Sequence, residues 1–152
     1  MATAEATTPQ ALLSAARDLV HIDDPETAGL WPRAAALPDC QALEAAMASL
    51  WERSAPGLEA ATLRCQLLCL ADFLRDPALA GRVHLTWEGL TRACHLRVYE
   101  LAPTAQELLG WLETVWDLAE VVAASENGDP RRRESVCPRL TAIDRARGAL
   151  SS

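Results

Sequence analysis

Residues 86 to 108 read TWEGLTRACHLRVYELAPTAQEL, and this stretch gathers many of the side chains that titrate or grip anions. Glu88, Arg92, Cys94, His95, Arg97 and Tyr99 follow one another closely within it. Histidine can hold or move a proton near neutral pH, and arginine grips phosphate oxygens through a planar fork. Together they suit phosphodiester chemistry, with His95 activating a ribose hydroxyl and Arg92 steadying charge on the phosphate. These two are the candidate catalytic residues, and Glu88, Arg97 and Tyr99 are candidate binding residues beside them. The plainer account is a solvated helix face carrying an exposed Glu88–Arg92 pair at i,i+4 spacing.

Either account requires a helix here. At about 100° per residue, Leu79, Val83, Trp87, Leu90 and Cys94 fall on one side and face a core. Glu88, Arg92, His95 and Tyr99 fall on the other side, with His84 near them, provided the helix runs on to Tyr99. Its start is marked by Asp76-Pro77, and the spacing predicts a helix from about 77 to 97.

Four further helices are expected around it. Thr8-Pro9 opens the first, with Leu12, Leu13, Ala16, Leu19 and Val20 as its stripe. Asp24-Pro25 opens a second element, with breaks expected near Pro32 and Pro38. Its later part, with Leu43, Met47, Leu50 and Trp51, is clearly helical, and SAPG at 54–57 closes it. Residues 58–74 are apolar nearly all round, which predicts a central helix. Thr104 with Glu107 forms a capping box for a last helix over about 105–124, where Leu108, Leu112, Val115 and Val122 make the core stripe. Trp111 and Trp116 read as packing residues, while Glu113, Asp117 and Glu120 line the other side without a base between them. Long helices joined by short turns give an all-α, antiparallel helical bundle of about five helices. The expected organisation is a flexible N-terminus at 1–8, a bundle over 9–125, and an Arg-rich tail over 126–152.

Composition narrows the chemistry further. All 14 basic residues are Arg, so no phosphate-loop or Schiff-base lysine is available. Residues 1–128 carry 18 acids against 8 Arg, whereas residues 129–152 carry 3 acids against 6 Arg. An acidic body is a poor non-specific binder of nucleic acid, so any RNA contact must be local. Arg131, Arg132 and Arg133 offer one such basic grip, on nucleic acid, an acidic partner or the acid stripe of the last helix. The 5 cysteines show no C-x-x-C pair and read as reduced, mostly buried thiols. Cys65 and Cys69 at i,i+4 spacing, with Cys94-His95 elsewhere, allow a thiolate–imidazole zinc site, but buried apolar cysteines are the better reading, so no metal or cofactor is expected. The N-terminus lacks the basic start and apolar centre of a secretory signal, and no apolar run is long enough to span a membrane. A cytoplasmic protein with no membrane partner is therefore expected.

The segment containing Trp87, Leu90, Arg92, Cys94, His95, Tyr99 and Leu101, followed by a capped helix, resembles the HEPN domain over about residues 10–125. That superfamily comprises small helical bundles, often dimeric. Many members are ribonucleases of toxin–antitoxin, CRISPR or other defence systems, and others are inactive binding modules. Its active motif is an Arg followed, after four to six residues, by a His near the dimer interface. Arg92 takes the place of the motif arginine, but the matching histidine positions hold Arg97, Val98 and Tyr99, and His95 comes too early. Neither Arg17 with His21 nor Arg82 with His84 restores the spacing. The resemblance implies an RNA-linked or defence-associated module and a homodimer: a metal-independent endoribonuclease if active, otherwise a degenerate binding relative. A different class of reading is a non-enzymatic helical adaptor that buries an apolar face against a protein partner.

Overall fold

The computed structural model of the chain describes residues 8–21, 31–74, 76–95 and 101–126. Within them lie five helices and no strand: α1 (Pro9–Val20), α2 (Trp31–Ser54), α3 (Leu63–Phe73), α4 (Pro77–Cys94) and α5 (Ala105–Glu126). A single 3-10 turn, Leu58–Ala60, links α2 to α3. The architecture is all-α, with helix packing consistent with a bundle. Residues 1–7, and Arg97, Tyr99 and Arg131–Arg133 with the rest of the tail beyond Glu126, lie outside the described residues.

Local caps explain where the helices begin. Thr8 accepts the Ala11 N–H at 3.3 Å, and Pro9 fills the first turn of α1, where a missing N–H costs nothing. Asp76 Oδ1 accepts the N–H groups of Ala78 and Leu79 at 2.9 and 3.0 Å ahead of Pro77. At α5 the capping box closes in both directions. Thr104 donates its N–H and hydroxyl to Glu107 Oε2, each at 2.8 Å, and Glu107 returns its N–H to Thr104 Oγ1 at 3.2 Å. Gly57, at φ 102°, turns the chain sharply after α2.

Helix α2 is the hub, packing against α1, α3, α4 and α5. Its inner face is alanine-rich, and Ala35, Ala36, Ala42 and Ala46 are buried with Leu43, Met47, Leu50 and Trp51. Small side chains let neighbouring backbones approach closely, and the larger residues fill the space between layers. Trp51 meets Phe73 of α3 edge to face, with centroids 4.9 Å apart. The Leu108, Leu112, Val115 and Val122 stripe of α5 is buried as its periodicity requires. Helices α4 and α5 run antiparallel, because Arg82 reaches Asp117 at 3.0 Å while Gly89 lies against Trp111. Helices α2 and α5 run the same way, since Arg53 near the end of α2 reaches the carbonyl of Val122 near the end of α5.

Four expectations are corrected. Pro38 does not interrupt α2, which continues through it for 24 residues. One missing N–H is outweighed by the buried contacts of Ala35, Ala36, Ala42 and Leu43 on either side. Helix α3 is peripheral rather than central: Leu67 and Leu70 are buried, but Cys65 is exposed and Leu68 is 68% exposed. Trp116 is 38% exposed and so does not belong to the core. Helix α4 stops at Cys94, where His95 takes an extended conformation at φ −90°, ψ 121°. No helix among the described residues is long and apolar enough to cross a membrane.

Candidate functional site

The early end of α4 reorganises the predicted cluster. Glu88 and Arg92 are exposed on the last turns of the helix, but His95 is its C-cap, giving its backbone N–H to the Thr91 carbonyl at 3.2 Å. The Glu88–Arg92 side-chain pair does not form. Arg92 Nε donates instead to the backbone carbonyl of Glu88 at 3.3 Å, and the Glu88 carboxylate lies 3.7 Å from His84 Nε2. Among the described residues no hydrogen bond links Arg92 to His95.

Arg92 acquires another partner. It lines a cleft of about 510 Å³ where the start of α2, the end of α4 and the start of α5 meet. Arg33 enters from α2, Trp111 from α5, and Thr104 and Glu107 form part of the rim. His95 is not among the lining residues. The floor depends on Gly89, where a Cβ would lie only 2.7 Å from Cε2 of Trp111. Glycine thus lets the indole lie directly against the α4 backbone.

Charge in the cleft is uneven. Neither Arg33 nor Arg92 pairs with a carboxylate among the described residues. Glu107 is engaged by the Thr104 N–H and hydroxyl, which hold its carboxyl below the usual range. Two guanidiniums beside a half-buried indole make a place where an anion with an attached apolar or planar group can be held. The sequence marked Arg92 through its neighbours, whereas Arg33 stands apart in the chain, and only the packing of α2 on α4 brings it near.

A second polar feature lies inside the bundle. Asp39 of α2 is fully buried, and neither of its carboxylate oxygens has a hydrogen-bond partner. Burial pushes its pKa up to about 7. The neighbouring Cys40 thiol is pushed up to about 12, chiefly by burial and then by the nearby Cys94 and Glu44. Cys94, near Cys40 across the α2–α4 contact, is raised by burial as well. Such protonated thiols are poor nucleophiles. Sequence reading overlooked Asp39, although the signal was present: it occupies the i+4 position of Ala35 and the i−4 position of Leu43, both on the core face.

The acid stripe of α5 is partly answered within the bundle, because Arg82 of α4 pairs with Asp117. No group of three or more His, Cys, Asp or Glu able to hold a metal occurs among the described residues. No family model, curated protein or solved structure matches the chain.

Proposed function

We propose that the chain is an RNA-linked binding module, a degenerate HEPN-like bundle that holds phosphate without cleaving the strand. The observation that carries this reading is the convergence of Arg33 and Arg92 on one cleft walled by Trp111. Planar guanidiniums match phosphate oxygens in pairs, and base–aromatic stacking adds sequence-tolerant affinity. Cleavage needs a proton-transfer group within hydrogen-bond reach of the reacting hydroxyl. Among the described residues the cleft offers only Glu107, already engaged by Thr104, because His95 lies outside its lining.

The acidic body limits contact to this local site. Incubating the full chain with short single-stranded RNA tests the reading directly. Binding without strand scission is expected, with affinity reduced about tenfold or more in Arg33→Ala and Arg92→Ala, in line with loss of a charge-assisted bond. His95→Ala is expected to bind as the parent does. Scission that disappears in His95→Ala would overturn the non-cleaving part of the reading.

One observation favours the adaptor as a second reading. Leu68 of α3 and Leu85 of α4 are 68% and 67% exposed on two helices that pack together, apolar side chains that a protein partner can cover. An adaptor would retain a co-purifying protein partner in Arg33→Ala and lose it in Leu68→Glu or Leu85→Glu.

A further inference from the structure

The cleft's charge and surroundings restrict the form of phosphate it can take. Its two guanidiniums come from separate helices, and the start of α5, otherwise an anion-favouring helix end, is already closed by the Glu107 carboxylate. An anion must therefore be held by Arg33 and Arg92. A phosphomonoester carries close to two negative charges at neutral pH and can meet each guanidinium with one, whereas an internal phosphodiester carries one; the Glu107 carboxylate on the rim is already held by the Thr104 N–H and hydroxyl. A longer run of phosphodiesters would extend over a body in which acids outnumber arginines 18 to 8 through residue 128. The volume of about 510 Å³ lies within the range of small-ligand sites. Trp111, half-buried against Gly89, supplies a flat wall for a ring.

Resting on the reading of this cleft as the phosphate site, we propose that its ligand is a nucleoside monophosphate unit, with Arg33 and Arg92 on the terminal phosphate and Trp111 beside the base. That unit can be a free mononucleotide or the phosphorylated end of a short RNA. Both present the same chemistry to the cleft.

Titration calorimetry on the full chain separates the possibilities, using adenosine 5′-monophosphate, adenosine 3′-monophosphate, adenosine and a short oligoribonucleotide with a 5′-phosphate, a 3′-phosphate or neither. The phosphorylated form of each pair is expected to bind at least tenfold more tightly than its unphosphorylated counterpart. Arg33→Gln and Arg92→Gln are each expected to remove that preference while circular dichroism stays unchanged. Affinity for the monoester is expected to fall below about pH 6, where its second proton returns. Tight binding of the mononucleotide identifies a free nucleotide as the ligand, and a preference confined to the oligonucleotide identifies a strand end. Equal affinity for phosphorylated and unphosphorylated oligonucleotides, still lost in Arg33→Gln, would overturn the terminal-phosphate proposal and leave the cleft as a backbone site. Binding that neither arginine variant weakens would overturn both.

Discussion

A carboxyl group enclosed by alanine and leucine, without a hydrogen-bond partner, keeps its proton far above the usual range, and Asp39 does so up to about pH 7. In the unfolded chain the same group ionises near 3.8. Between those values the folded state binds more protons than the unfolded state, so this group makes stability fall as pH rises from about 4 to about 7 and adds no slope beyond. The span corresponds to roughly 4 kcal/mol at most. Urea unfolding across that interval should show a loss in the parent that is largely absent in Asp39→Asn, and parallel curves would contradict the assignment. A second side-chain prediction concerns Gly89. Gly89→Ala places a methyl where the Trp111 ring lies, so the indole must move, at a cost of about 1–3 kcal/mol typical of overpacking. Near-ultraviolet circular dichroism would register the displaced ring. Arg92 could be picked out from its neighbours in the chain; Asp39 needed the helix period as well, which sets it between Ala35 and Leu43 on the core face.

Three helix starts were legible because their signals are local. Thr8-Pro9, Asp76-Pro77 and the Thr104–Glu107 box each satisfy backbone N–H groups within three residues. Removing one should show the same locality: Thr104→Ala is expected to cost about 1 kcal/mol in chemical denaturation. Glu107 contributes through its lowered pKa, so its support is present above the ordinary carboxylate range and is lost as pH falls through the lowered value. Helix ends were harder to read. Nothing in ACHLRVYE is a glycine or proline, yet α4 stops at Cys94. Helix α3 misled for another reason. Its apolar residues surround the axis, but only one side finds a neighbour, so composition overstated burial. Leu70→Ala is therefore expected to cost about 2–5 kcal/mol and Leu68→Ala no more than about 0.5, measured by the same denaturation.

The all-α bundle followed from periodicity and caps, but the cleft depends on which helix ends are brought together, and that is decided by packing. Arg33, Arg92 and Trp111 belong to three helices, and no spacing rule joins them. Their meeting requires α4 to run against α5 while α2 runs with it, an arrangement held by the buried Ala and Leu faces. Because the walls of the cleft are contributed by segments distant along the chain, the unfolded polypeptide has no counterpart of this site. Any occupant must then raise the temperature at which the domain melts, and the free energy it adds is set by its concentration relative to its dissociation constant. At a hundredfold excess over that constant the added stability is about 2.7 kcal/mol. A melting scan thus offers a way to recognise the natural occupant in a mixture of metabolites before its chemistry is known.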